Sequence, residues 1–129
     1  MLPDSKNNWS AEDSAEIYRL DDWNAGHFSI KDSGNLAIEC QVNGSDVSIP
    51  VMDIIKGMQD RDLYMPALIR VENILNQSLK TLNEAFKNAI SNCGYQNVYR
   101  GVFPIKVNQQ AQIVEEIVRF GQPYCHGLE

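Results

Sequence analysis

Val98-Tyr99-Arg100-Gly101-Val102-Phe103-Pro104-Ile105-Lys106-Val107-Asn108-Gln109-Gln110 reads as an apolar strand that runs into a lysine just before a helix begins. Upstream, Val71, Ile74, Leu75, Leu79, Leu82, Phe86 and Ile90 recur at helical spacing as far as Gly94, a residue that ends helices because it enters the left-handed region without a Cβ clash. Downstream, Ile113, Val114, Ile117, Val118 and Phe120 share one helical face, which Gly121 closes. Ala67–Val71 and Tyr124–Leu128 complete the pattern as short strands. Strand, helix, strand, helix, strand with connections of a few residues predicts a parallel sheet, either a β/α barrel or a doubly wound sheet, since parallel neighbours need a crossover between them. Neither G-x-G-x-x-G nor G-x-x-x-x-G-K-[ST] follows any strand, which lowers the dinucleotide and P-loop options. A β/α barrel has eight such units over roughly 250 residues, so two units and one strand predict the start of a barrel and an incomplete fold.

The preceding residues follow a different period. Ser10 with Asp13 three residues on, ahead of Ala15, Ile17, Tyr18 and Leu20, predicts one capped helix ending near Trp23. His27–Lys31 and Leu36–Val42 alternate apolar and polar residues around Asp32-Ser33-Gly34-Asn35, and Asn43-Gly44 offers a second tight turn into Val47-Ser48-Ile49. Residues 27–49 therefore form a small antiparallel unit that must pack on something else. Pro50 opens a short amphipathic helix through Met52, Ile55 and Met58, which ends in Gln59-Asp60-Arg61-Asp62, a plausible junction. The expected division is an accessory helix and β segment over residues 1–65 and the first barrel elements over 66–129.

Charge follows the same division. The chain of 129 residues has net charge −6, and 12 of its 17 acids lie in residues 1–65. Without a basic stripe, nucleic-acid binding is set aside, because phosphate contacts need clustered Lys and Arg. No stretch approaches the roughly 20 apolar residues of a membrane span, and Met1–Asn8 has no apolar core, so no membrane association and a cytoplasmic location are expected. Cys40, Cys93 and Cys125 lie far apart without C-x-x-C spacing and read as small apolar residues rather than as metal ligands or disulfide partners.

Lys106 carries the chemistry. At the C-terminal end of a barrel strand it would stand on the face where such enzymes build their sites. Apolar neighbours there would disfavour the ammonium and supply a neutral amine able to condense with an aldehyde cofactor. A lone lysine at a strand end is ordinarily solvated or snorkelling, and position does not separate the two readings. Arg70 ends the first strand, where an ion pair with an acid on a neighbouring strand is its expected role. Asn108 is expected to cap the following helix. His27 and His126 have no carboxylate or second histidine at a helpful spacing and are assigned no catalytic role.

Val102–Gln110 resembles the lysine segment of biosynthetic arginine decarboxylases, within the alanine-racemase-like and ornithine-decarboxylase-like barrel enzymes. The resemblance extends through Glu16-Ile17-Tyr18 to Trp23, the hairpin around Gly34, Pro66–Arg70, the helix through Ala85-Phe86, and Gly127-Leu128-Glu129. It implies a pyridoxal 5'-phosphate-binding β/α barrel in which Lys106 is the cofactor lysine. It also implies decarboxylation of L-arginine to agmatine in polyamine biosynthesis, a homo-oligomeric assembly, and magnesium as a further requirement, for which no ligand cluster is visible. Glu129 falls where such enzymes have an acidic residue near the cofactor, although an ordinary glutamate fits equally. The remaining cofactor and substrate contacts are expected outside these residues, so the chain by itself is expected to be inactive. Two alternatives stand beside this reading: a decarboxylase of the same fold acting on ornithine or diaminopimelate, and a non-catalytic fragment that pairs with a complete subunit.

Overall fold

The computed structural model describes residues 9–129; the expectation that Met1–Asn8 carries no leader lies outside the described residues. The chain divides into two compact units between Leu68 and Ile69.

In the first unit, α1 (Ala11–Ile17) begins with the expected cap. Ser10 Oγ accepts the Asp13 N–H at 3.2 Å while the Asp13 carboxylate accepts the Ser10 N–H at 2.8 Å, so two orphan donors are satisfied reciprocally. The single helix expected as far as Trp23 is broken. Arg19 takes φ 50°, a left-handed conformation that interrupts the backbone ladder, and a one-turn helix α2 (Leu20–Trp23) starts afresh. An unbroken helix would place Ile17 and Leu20 on one face, whereas the break buries Leu20 and leaves Ile17 and Tyr18 exposed.

β1 (Phe28–Ile30), β2 (Leu36–Val42) and β3 (Ser45–Pro50) pair antiparallel in the order β1-β2-β3, the meander that the alternation predicts. Phe28 opposes Ile38 and Ile38 opposes Ile49, which sets the apolar residues on one face. Asn43 and Gly44 both have positive φ, 52° and 80°, the two-residue turn whose twist matches the strands it joins. α3 (Val51–Gln59) then packs on β2 and β3. On the opposite face of the sheet, Glu39 accepts from Lys31 Nζ at 2.7 Å, from Ser29 Oγ, and from Ser48 Oγ at 2.8 Å. These bonds, that from Lys31 foremost, favour the ionised form and hold the Glu39 carboxyl at about 2 against an ordinary 4.5.

The second unit contains α4 (Glu72–Cys93), β4 (Val102–Phe103), α5 (Ala111–Gly121) and β5 (Gly127–Leu128). Gly94, at φ 63°, ends α4 as its sequence position predicts. β4 and β5 are parallel, with Val102 opposite Gly127 and Phe103 opposite Leu128, and α5 makes the crossover. α4 packs on α5, and Leu79 and Ile117 are the buried apolar side chains of this unit. Arg119 in the last turn of α5 bonds Glu116 and Glu72, the latter in the first turn of α4, so each charge also complements its helix dipole.

Three strand expectations need correction. Residues 67–71 form no strand: Val71 is extended at φ −112°, ψ 103°, but Leu68 is 74% exposed and the segment has no ladder. Extended backbone becomes a strand only where a neighbour satisfies its N–H and C=O groups. The strand expected over 98–103 shrinks to Val102–Phe103, and that over 124–128 to Gly127–Leu128. Gln122–Tyr124 form a single 3-10 turn instead, with Cys125 at φ 54°, so the extended stretch available to pair with β4 begins late. The cysteine reading fits half-buried Cys40 only; Cys93 and Cys125 are exposed.

Candidate functional site

Backbone pairing runs on past β4 and β5. Glu129 donates its N–H to the Phe103 carbonyl at 3.0 Å and accepts the Ile105 N–H at 2.8 Å, which brings Lys106 and Glu129 to the same end of the parallel pair. Pro104, with no N–H to offer a neighbour, ends the strand. Ile105–Val107 then form one 3-10 turn, with Val107 N–H donating to the Pro104 carbonyl at 3.2 Å and Asn108 N–H to the Ile105 carbonyl at 3.0 Å. Lys106 therefore sits one turn beyond the C-terminal end of β4, and α5 starts five residues later.

The amine of Lys106 is exposed and has no ion pair among the described residues. The apolar, desolvated setting expected around it is not built by these residues, because each strand of the pair contributes only two residues. Glu129 is exposed as well.

The other candidates are placed elsewhere. Arg70 is exposed, follows no strand and makes no ion pair among the described residues, which corrects the role expected of it. Asn108 does not cap α5: its Oδ1 accepts the Gln110 N–H at 3.2 Å, and Gln110 is the cap residue with no side-chain bond to the helix. Asn108 thus turns the chain towards the helix, an Asx turn two residues before the observed cap, Gln110. His27 belongs to the first unit, where its carbonyl accepts the Glu39 N–H at 2.8 Å.

His126 has a structural role that sequence reasoning missed. Its half-buried imidazole lies against Gly101 before β4 and its Cβ against Gly121 at the end of α5. A Cβ on Gly101 would stand 2.3 Å from the ring, and one on Gly121 would stand 2.6 Å from the His126 Cβ. Nδ1 is buried without a hydrogen-bond partner among the described residues. The available signal was Gly101 inside an apolar run, since a glycine at such a position marks close approach by another group.

At the opposite, N-terminal end of the pair lies a cleft of about 400 Å³, lined among others by Asn83, Lys87, Tyr99, Arg100 and Tyr124. No group of three or more His, Cys, Asp or Glu able to hold a metal ion occurs among the described residues, and none of their helices is long and apolar enough to cross a membrane.

Comparison with known proteins places this arrangement. The chain is 44% identical over 124 residues to a biosynthetic arginine decarboxylase of Prochlorococcus marinus, covering 96% of this chain and 19% of that protein. A biosynthetic arginine decarboxylase of Gloeobacter violaceus is 41% identical over 95% of this chain and 19% of its own length. Among solved structures, the crystal structure of the biosynthetic arginine decarboxylase from Campylobacter jejuni superposes with a TM-score of 0.75 at 28% identity, over 86% of this chain and 18% of that one. No family model matches the chain. The chain spans about a fifth of the length of the relatives it matches, and over nearly all of its own length it corresponds to a segment of biosynthetic arginine decarboxylases, as the lysine motif and its surroundings imply.

Proposed function

We propose that this chain is the N-terminal part of a pyridoxal-phosphate-dependent arginine decarboxylase, with Lys106 the residue to which the cofactor attaches. The observation that carries the reading is the similarity along 96% of the chain to proteins of that name, with Lys106 inside the matched length. Residues 66–129 are then the opening of the cofactor-binding β/α barrel, and residues 1–65 belong to an accessory β domain. An exposed primary amine without an ion pair, at the end of a parallel strand where barrel enzymes place their chemistry, fits an aldehyde cofactor that has to reach it.

Pyridoxal phosphate, when bound, supplies a conjugated sink for the electron pair left on Cα as the carboxylate departs as carbon dioxide. Lys106 would contribute the amine that holds the cofactor and could carry a proton within the site. Glu129, held at the same end of the strand pair by its backbone bonds to residues 103 and 105, is the acidic residue that the resemblance sets near the cofactor. Arginine is the substrate of this reading. Magnesium is a family expectation for which these residues offer no ligand set.

Two further parts of the proposal concern its setting. A cytoplasmic location is part of this reading. Exposed Val98, Val102 and Val107, together with strand edges that lack neighbours, favour association between copies of the chain. Light scattering on the purified chain should find a dimer or larger assembly at micromolar concentration, and a stable monomer would contradict that part.

Attachment is tested on the parent enzyme by borohydride reduction in the presence of pyridoxal phosphate followed by peptide mapping. The pyridoxyl group should be found on Lys106 and be lost in Lys106→Ala. An adduct on Lys80 or Lys87 instead would overturn the assignment.

A further inference from the structure

The cleft at the N-terminal end of the β4–β5 pair lies at the opposite end from Lys106 and is not used by the proposed chemistry. Its walls come from three places in the second unit. Asn83, Lys87 and Ile90 lie on one stripe of α4, at spacings of four and three residues. Tyr99 and Arg100 stand on the segment entering β4, and Tyr124 stands on the turn before β5. Tyr99 is held in place, its ring stacked on Phe86 with centroids 3.9 Å apart and planes 7° from parallel. Asn83 is buried and anchored by its Nδ2, which donates to the Leu79 carbonyl at 2.8 Å.

The charge of the lining has one sign. Lys87 and Arg100 come from different walls, neither makes an ion pair among the described residues, and no carboxylate lines the cleft, in a chain whose net charge is −6. The same cleft is lined by two phenol rings, Tyr99 and Tyr124, and by the aliphatic Ile90, Val98 and Pro123. Most ligand sites share this arrangement, an apolar body with a few placed polar groups that fix orientation. A cation gains nothing from it. An anion gains two donors, and a flat ring gains the aromatic wall as well.

We propose that this cleft binds a small organic anion, a phosphate monoester or carboxylate carried on a flat apolar ring, with Lys87 and Arg100 holding the charge and Tyr99 and Tyr124 bordering the ring. The inference stands apart from the role of Lys106, so either can fail without the other.

The test is titration of the chain with phenyl phosphate, followed by amide chemical-shift changes, with inorganic phosphate and benzylamine as comparison probes. Phenyl phosphate should shift the amides of Tyr99, Arg100 and Tyr124, bind more tightly than inorganic phosphate, and outbind benzylamine. Lys87→Gln and Arg100→Gln, both exposed positions, should each weaken phenyl phosphate by about fivefold, the scale of one exposed charge contact, while Lys87→Arg keeps it. Equal binding of benzylamine, equal binding of inorganic phosphate, shifts confined to the neighbourhood of Lys106, or unchanged affinity in both glutamine variants would each overturn the proposal.

Discussion

The two units solve the problem of strand pairing in different ways. In the first, each strand pairs with its neighbour in sequence through a tight turn, so a three-stranded sheet closes within residues 28–50. In the second, the strands are parallel and separated by α5, and only two residue pairs form between them. An antiparallel hairpin needs a two-residue turn, whereas each parallel strand needs a crossover helix and a neighbour on both sides before its hydrogen bonds are complete. The first unit therefore shows its architecture within a short stretch of chain. The second has a single parallel pair of two residues per strand, and its few buried contacts carry correspondingly more of its stability.

This contrast is broken most directly at Ile117, the most buried large side chain of the second unit, 2% exposed. Ile117→Ala should destabilise that unit by about 3 kcal/mol through lost burial and the cavity left behind. Hydrogen exchange resolved by residue should show the loss in α4 and α5 and leave the meander protected. Equal loss in both units would mean that they unfold as one.

The glycines around His126 sharpen the same point at about 2 kcal/mol each, the scale of overpacking. Gly101→Ala meets the imidazole, and His126→Ala removes that obstacle, so the double variant should recover most of the loss. Gly121→Ala meets the His126 Cβ, which alanine retains, so the same second change should not rescue it. Denaturant midpoints of the four variants decide, and rescue of Gly121→Ala would show that the contact is not the cause.

In the first unit the sensitive feature is charge. Glu39 titrates at about 2 when folded and near its ordinary 4.5 when unfolded, so its contribution is complete above about 4.5 and is lost as pH falls towards about 2. With its side chain 31% exposed, solvent screening reduces that contribution to about 1 kcal/mol. Exchange protection of β1–β3 measured against pH should fall across this window, and Glu39→Gln should flatten the fall. A profile unchanged by the substitution would remove Glu39 as its source.

The smallest effect is expected at Ser10. Ser10→Ala removes one half of the capping box and should cost about 0.5–1 kcal/mol, read as faster exchange in α1 with β2 unaffected.

What could be read beforehand were features that depend on neighbours in sequence. The Ser10 cap, the Asn43-Gly44 turn, the alternating strands of the meander, the long helix stopped by Gly94 and the apolar face of the crossover helix are all local rules of period and backbone freedom; Gly121 does not stop that helix, since it is itself helical at φ −78° and the chain turns left-handed only at Cys125. The proposal for Lys106 rests on something else: its surrounding motif resembles that of a known family, while its position alone does not separate a cofactor lysine from a solvated one. What the tertiary structure decided were features that depend on distant partners. Residues 67–71 have the composition of a strand but no ladder, because a strand exists only where another chain segment meets its hydrogen bonds. The left-handed break at Arg19 chose Leu20 over Ile17 for the core, a matter of how the helix meets the sheet rather than of helical period. His126 between Gly101 and Gly121, and Lys87 across a cleft from Arg100, join residues up to 25 positions apart, and only the packing of α4, β4 and α5 brings them together.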